Sequence, residues 1–455
     1  MNPSNRDQLR VMISTGHLGT APSGIESFMA AIDTLPDYLV ADGGSADPGP
    51  VYLGENMELG HFIREELELF LVESRKRGIP LIIGSAGDSG SNEGVDNTVR
   101  LLQEIAAEHR IPKFRIGSFH SEITGDFLAA EIEAGRAIRG LGQFSDLTAE
   151  EARAATRIVA VAGNAPFLDL LDQGADVIVA GRCGDANFTA APCIHAGFPP
   201  ALAFHMGKMI ECASLVAEPF MGKEAVIGTI THDDIRITPY HPDQRCTVAS
   251  AAAHSMYERE TPYFEYTAEG TLDMRECRYE QATDRVCRIT GARFEPWDVP
   301  TVKLEGVRKL GERYLGIAAI RDPHVIRNVD AAIEWSRSAI RKRFPDENYE
   351  LHYHVFGRDG ILKEREPLRH REPHEVAVVV ETLHRDDALA AKITDLAVRM
   401  FFLARLPGVK GTSGASATSK LPLKYIPGYT WSVNHVMRVR EDMQLFPTTM
   451  TEAGV

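Results

Sequence analysis

The chain has 455 residues, 44% hydrophobic and 25% charged, with 38 Gly and 25 Pro scattered among periodic segments, a mix that excludes a fibre or a disordered tract. A chain of this length forms two or three domains of roughly 150 residues or one large α/β body. Its 49 Lys and Arg against 64 Asp and Glu leave a net charge of −15, the wrong sign for a phosphate-neutralising surface, so no nucleic-acid partner is expected.

The opening MNPSNRDQLRVMIS has no apolar core of signal-peptide length, and no apolar stretch approaches the ~20 residues that cross a bilayer. A cytoplasmic chain with no membrane partner is expected, and an acidic body of this size reads as a homo-oligomer. The six cysteines contain no C-x-x-C pair and are expected to be reduced.

In chain order, the first half repeats an apolar run, a Gly-rich turn and a helical pattern, the signature of βα units and a parallel sheet. Leu9 to Ser14 leads through TGHLGTAPSG to a helix from Ile25 to Ile32; Tyr38 to Ala41 leads into DGGSADPGP. Pro80 to Ile83 leads through GSAGDSGSNEG to a helix from Val95 to about His109. In the fourth unit, Ile158 to Ala162 and Val177 to Ala180 flank a helix from Pro166 to Gln173. The strands are continuous apolar runs, which predicts helices on both sheet faces. The fold class expected is a doubly wound, mostly parallel, Rossmann-like α/β domain over residues 1–222, with ligands at the carboxyl ends of its strands.

After residue 222, AVIGTITHDDIRIT, YFEYTAEGTLDM, DRVCRITGARF and VPTVKLEG read as short strands with polar turns. Helices are expected over Asp330 to Arg343 and Arg385 to Leu403, with strands at YELHYHVFGRD and HEVAVVVETLH between them. Residues 223–455 therefore read as an α+β domain covering the cleft. GVKGTSGASATSK, with Lys410, Ser413 and Lys420, reads as a lid or surface loop.

Chemistry-bearing residues fall on the expected rim. The turns holding Gly16 and His17, and Gly84, Gly87, Asp88 and Asn92, can bring backbone N–H groups to an anion at a helix N-terminus, although plain tight turns fit the same pattern. Neither is G-x-G-x-x-G, but Asp42 ends the second strand where a ribose-binding acid sits in dinucleotide folds, which keeps a nicotinamide enzyme as an alternative. GRCGDAN presents Arg182 and Asp185 just past a strand, as a carboxylate clamp with a base or as an internal ion pair.

His254 and Glu258 stand four apart on an expected helix, hence on one face, as an acid–base pair, two metal ligands or a surface pair. Lys303 and Glu305 share a strand face, where a desolvated lysine can polarise a carbonyl. In IRDP, Arg321 is an oxyanion-binding candidate while Asp322 and Pro323 read as a helix N-cap and first helical residue. His352 and His354 share a strand face, followed by Asp359 in a Gly-flanked turn.

Several stretches together resemble the acyclic terpene utilisation (AtuA-like) family: GNAPFLDLLDQGADVIVAGRCGDANF (163–188), HSMYE (254–258), RYEQATDRVCRITGARF (278–294), VKLEGVRKLGERYLGIAAIRDP (302–323) and HVFGRDG (354–360). The resemblance runs from about residue 10 to about 440 and adds Asn164 to the substrate-binding candidates. It implies a bacterial catabolic protein working on carboxylic acids or their CoA thioesters, near CoA-dependent carboxylation and hydration enzymes. Relatives open with an aromatic-Gly-Asp turn and carry Asn-Ala-Gly-Gly after the third strand; STGHLGTAPSG and GSAGDSGSNEG stand here instead, on the rim, which implies a different substrate.

The reading that results is a lyase or hydratase acting on a branched or polycarboxylic acid or its CoA thioester. Arg182 and the Gly-loop amides hold the anion, Lys303 or Arg321 stabilises the oxyanion, and Asp185, His254 or Glu258 moves the proton, with Glu305 beside Lys303 also among the catalytic candidates. Coenzyme A as part of the substrate and a divalent metal are the cofactor candidates. The main alternative is a non-catalytic subunit that binds an anion or acyl-CoA beside a small partner.

Overall fold

The computed structural model describes residues 6–56, 60–259, 261–409, 416–418, 421–440 and 445–455; Lys410, Ser413 and Lys420 of the expected lid loop lie outside them. Two compact units emerge, Met1–Arg308 with Trp431–Val455, and Lys309–Thr430.

The first unit is built on a ten-stranded mixed sheet. Five strands run parallel in the spatial order Leu9–Ile13, Tyr38–Asp42, Leu81–Gly84, Val177–Ala180 and Phe114–Phe119. Antiparallel strands extend both ends: Val226–Ile230, Ile235–Pro239, Cys287–Thr290 and Arg278–Gln281 beyond the first, and Thr448–Ala453 beyond the last. The change of direction after residue 222 has a local cause. Val226–Ile230 and Ile235–Pro239 are joined by a tight turn in which Thr231 Oγ1 accepts from Asp234 N (3.0 Å), and so short a connection can only pair strands antiparallel.

The apolar runs bury both sheet faces, as their lack of alternation requires. Ile82 faces one core with the helices Ala165–Asp172, Asn187–His195 and Pro200–Ile210. Its neighbours Leu81 and Ile83 face the other core, shared with Ile25–Ile32, Ile63–Arg77 and Asn92–Glu108. In the last helix Val95, Leu102, Ile105 and Ala106 fall on one face. It starts three residues earlier than the apolar periodicity suggests because Ser91 Oγ caps it, accepting from Gly94 N (3.0 Å).

One expected βα unit is corrected. The run at Ile158 forms the strand Arg157–Val161, which leaves the parallel sheet and pairs antiparallel with the start of Thr301–Ile320, Lys303 opposite Val161 and Glu305 opposite Val159. An apolar run records that a strand is buried, not which strand it pairs with. The consequence reaches the site, because a parallel bridge from Ala162 to Cys183 then ties Glu305's neighbourhood to the turn after Val177–Ala180. A three-stranded sheet, Phe264–Tyr266, Gly270–Asp273 and Arg293–Pro296, completes this unit.

In the second unit, Val376–His384 pairs with Glu350–Phe356 and with residues 312–320 of Thr301–Ile320. The helices Val329–Arg343 and Asp387–Phe402 cover that sheet. Asp322 caps the helix Pro323–Arg327 by accepting from Val325 N (2.9 Å), with Pro323 first in the helix, as IRDP suggests.

Gly90 shows how tightly the first unit is closed around Arg182. It has φ +65, and a Cβ there would lie 2.2 Å from Arg182 N, whereas Gly142, at φ +58, has nothing within 4 Å. Gly142→Ala is expected to cost about 1 kcal/mol for the left-handed backbone alone, and Gly90→Ala about 2 kcal/mol more for the clash. Urea unfolding of the two variants measures the difference; equal losses would show that the approach to Arg182 is not close packed.

Candidate functional site

Arg182 follows the buried strand Val177–Ala180, and its backbone N–H donates to Gly90 O (3.0 Å) and Ser121 Oγ (2.8 Å). The side chain turns inward and is only 6% exposed. Its Nε donates to Glu305 Oε2 (2.9 Å), and Nη1 donates to Ser85 Oγ (3.1 Å), Cys183 O (3.2 Å) and Asp185 Oδ1 (3.2 Å). Lys303, two residues along the strand from Glu305, donates from Nζ to its other oxygen (2.8 Å). One buried carboxylate thus holds a guanidinium and an ammonium together.

Taking these charges out of water is costly, and only mutual pairing makes it tolerable. Burial alone would raise the Glu305 carboxyl, but Arg182 and Lys303 overcome it and hold the group at about 2. Burial likewise opposes the Arg182 charge, and Glu305 and Asp185 outweigh it, so the guanidinium stays cationic well beyond the ordinary range. Nε and Nη1 are committed inside the protein, leaving Nη2 without an acceptor among the described residues. The bidentate substrate clamp read from GRCGDAN is therefore reduced to one free nitrogen.

A cavity of about 510 Å3 opens against this network. Of the residues singled out from sequence, Arg182, Asp185, Glu258, Lys303 and Glu305 line it. Asp47, Lys208, Arg259 and Glu265 complete its charged wall and carry no sequence motif, although a lysine in the apolar helical run ALAFHMGKMI was a legible anomaly. Four cations face five carboxyl groups, and the cations are paired: Lys208 with Glu211, and Arg259 Nε with Glu265 Oε2 (2.8 Å). The hollow is charge-matched, not the cation-rich anion site expected.

Burial, with the charge of Asp185, pushes the Asp42 carboxyl well up, against the N–H of Gly44 (3.1 Å) and the Arg182 charge. Burial pushes Glu211 up to about 8 despite Lys208. Carboxyls that hold a proton near neutrality beside a cavity are what acid–base chemistry needs.

The remaining candidates disperse. His254 and Glu258 do not share a helical face: the helix ends at Met256, and Glu258 lies beyond it at φ +58. Tyr257 turns to extended backbone (φ −76, ψ 160), and Arg259 Nη1 donates to Ser255 O (2.6 Å), a carbonyl the ended helix leaves open. His254 is buried with its ring stacked on Tyr257 (4.6 Å, 26°), and burial with the Lys208 and Arg259 charges lowers it to about 3, so it is neutral at physiological pH.

His17 pairs with Asp88, which sits at φ +63. Gly16 lets the chain pass Cys212, Gly84 lets Phe188 pack and Gly87 meets Gly94. Asn92 Oδ1 accepts from Ser121 N (3.2 Å) and Glu122 N (3.1 Å), and Asn164 Oδ1 accepts from Asn187 Nδ2 (2.8 Å), so both close turns. Arg321 and Asp359 belong to the second unit, where Arg321 is exposed and Asp359 pairs with Arg358 (3.1 Å) and Arg369 (3.2 Å). In the same unit His354 meets Glu381 (2.8 Å) and His352 meets Glu350 (3.2 Å). No group of three or more His, Cys, Asp or Glu among the described residues could hold a metal ion.

Beside the charged cavity lies a hollow of about 450 Å3 that shares Asp185, Glu265, Tyr266 and Lys303 with it. The same hollow shares Val161, Ala268 and Thr301 with an apolar chamber of about 830 Å3. Leu168, Ile194, Phe204, Phe294, Val302 and Leu445 give the chamber its character, with Phe204 and Phe294 stacked at 4.9 Å. All three hollows are walled by the first unit.

The first unit is thus a mixed α/β scaffold with a charged cavity and an adjoining apolar chamber. The model of the acyclic terpene utilisation family protein AtuA matches residues 55–439, and the chain belongs to that family. No curated protein and no solved structure matches the chain. No helix among the described residues is long and apolar enough to cross a membrane.

The Glu305 carboxyl has a stability consequence. Its value in the folded protein is below the ordinary 4.5, so its contribution is complete above pH 4.5 and is lost as pH falls through about 2. Glu305→Gln is expected to cost about 3 kcal/mol at pH 7 by leaving Arg182 buried without its main partner, and to lose less stability than the unmodified protein between pH 4.5 and 2. Urea unfolding across that range measures both; parallel curves would show that Glu305 is not held as an anion by the pair.

Proposed function

We propose that the chain is a catabolic enzyme, a lyase or hydratase, that acts on a carboxylic acid or its CoA thioester bearing an apolar tail. Family membership supports the catabolic role. The observation that carries the chemistry is the wall of one cavity, where Glu305, held at about 2, joins Arg182 and Lys303, and where Lys208 is backed by Glu211, a buried carboxyl outside the lining that burial raises to about 8. Separation of this kind assigns the acid and base roles in many enzymes.

On this reading Glu305 is a permanent anion that moves no proton and fixes Arg182 and Lys303. Arg182 Nη2 and the Lys303 ammonium meet the oxygen on which charge develops when a proton leaves the carbon beside the carbonyl. Asp185, half-exposed on the cavity wall and within 3.2 Å of Arg182, takes that proton. The apolar chamber favours a single acyl tail over a polycarboxylate, because burying a second carboxylate there would leave it unpaired. The five parallel strands with helices on both faces support a doubly wound, Rossmann-like core under this site.

A non-catalytic subunit that binds an anion or acyl-CoA is the second reading, and the internal pairing of the cavity cations favours it. Thermal-shift screening with acyl-CoAs and di- and tricarboxylates, followed by product analysis, separates the two. Stabilisation with turnover is expected; stabilisation without turnover supports the binding role. Lys303→Met leaves Glu305 paired with Arg182, so melting is expected to stay within a few degrees while turnover falls about 10²- to 10³-fold. Unchanged turnover would remove Lys303 from the reaction.

A further inference from the structure

The helix Pro200–Ile210 is buried along most of its length, yet it carries Lys208, whose side chain is nearly enclosed and still reaches the wall of the charged cavity. Its ammonium donates to Glu211 Oε1, one turn on and equally buried, and lies 4.4 Å from the centre of the Tyr257 ring. The Tyr257 hydroxyl contacts Cys212 Sγ (2.8 Å) and donates to Glu211 Oε1 (3.5 Å). Glu211 therefore stands behind Lys208, away from the groups that serve Glu305.

We propose that Lys208 is the acid of this cavity and that Glu211 resupplies its proton, so that the two form a proton-delivering couple distinct from the Arg182, Glu305 and Lys303 network. The proposal rests on the enzymatic reading above and adds the partner that returns a proton. A salt bridge confined to structural duty has no need to reach a cavity, and a buried ammonium over an aromatic face costs desolvation that a shorter apolar residue would avoid.

The step balances. The electron pair of the ligand's enolate carbon or oxygen forms a bond to a proton of Lys208 as that N–H bond breaks. The Glu211 acid proton then passes to the freed Lys208 amine, leaving a carboxylate beside a restored ammonium. Net, one proton moves from Glu211 to the ligand.

The groups that face this couple are Cys212 on its own segment, His254 and Tyr257 from the helix Val248–Met256 and its end, Arg259 and Glu265 from the following loop and strand, Asp185 from the turn after Val177–Ala180, and Asp42 from the second strand. His254 stays neutral and cannot supply the proton. Burial raises Glu211 to about 8, with the charges of Asp185 and Glu265 adding to it, which keeps the acid form populated at neutral pH.

Two measurements on the full chain test the couple. Infrared titration reads the protonated-carboxyl stretch: a band present at pH 7 that disappears through about pH 8 is expected in the unmodified protein and is expected to be missing from Glu211→Gln. Proton NMR in D2O then follows exchange at the carbon beside the carbonyl of butyryl-CoA. Exchange is expected to fall as pH rises through about 8, and Glu211→Gln is expected to lower it about 10²-fold and to abolish that limb.

Lys208→Arg keeps a cation in place but holds its protons more tightly than an amine does. It is expected to abolish exchange while keeping the thermal shift given by butyryl-CoA. Full exchange in Lys208→Arg, or survival in Glu211→Gln of the band that titrates through about pH 8, overturns the proposal. An unmodified protein that exchanges no proton removes the delivery step and the enzymatic reading together, whereas normal exchange lost only in Lys303→Met removes the couple and leaves that reading standing.

Discussion

A guanidinium and a carboxylate, Arg182 and Glu305, meet at 2.9 Å with almost no access to water, and the arrangement of the first unit follows from the need to keep them together. Breaking one side of such a pair strands the other charge in a medium that solvates it poorly, a penalty of about 3–5 kcal/mol. The strand Arg157–Val161 leaves the parallel sheet to pair with the strand carrying Glu305, and the bridge from Ala162 to Cys183 fixes that strand against the turn carrying Arg182. Gly90 and Ser121 hold the Arg182 backbone from the opposite side.

Once the pair is in place, the electrostatics of the cavity divide into two regions. Around Arg182 and Lys303 the carboxylate is pinned as an anion. Around Lys208 and Tyr257 burial wins over pairing, and Glu211 keeps its proton into the neutral range. The difference is one of counting: Glu305 is shared by two cations, whereas Glu211 has one cation and the field of other acids. One cavity is thus lined both by the two cations that share Glu305 and by Lys208, which donates to Glu211.

Much of this was legible in the chain, for a physical reason. Arg182 and Asp185 stand just past the apolar run Val177–Ala180, and Lys303 and Glu305 share one face of a strand; charges in such positions either pair or line a site, and here they do both. The βα rhythm of Leu9 to Ala41 and Pro80 to Glu108 is local and appears as read. What local patterns could not show was partnership in space. The run at Ile158 looks like any other buried strand, and the strands after residue 222 give no sign that they extend the same sheet. His254 and Glu258 have helical spacing, but the helix stops between them. Lys208, Arg259 and Glu265 pair with near neighbours in the chain but reach the Arg182 cavity only through the fold, so only the lysine's apolar surroundings hinted at a role.

In the proposed function an acyl compound sets its carbonyl end on the Arg182 and Lys303 contact and its tail through the hollow lined by Tyr266 into the Phe204 and Phe294 chamber. A crystal structure with a bound acyl thioester decides this binding mode. The thioester or carboxylate oxygen is expected within hydrogen-bond distance of Arg182 Nη2 or Lys303 Nζ, with the Arg182–Glu305 pair intact. A ligand seated elsewhere, or one that inserts its anion between Arg182 and Glu305, would contradict it.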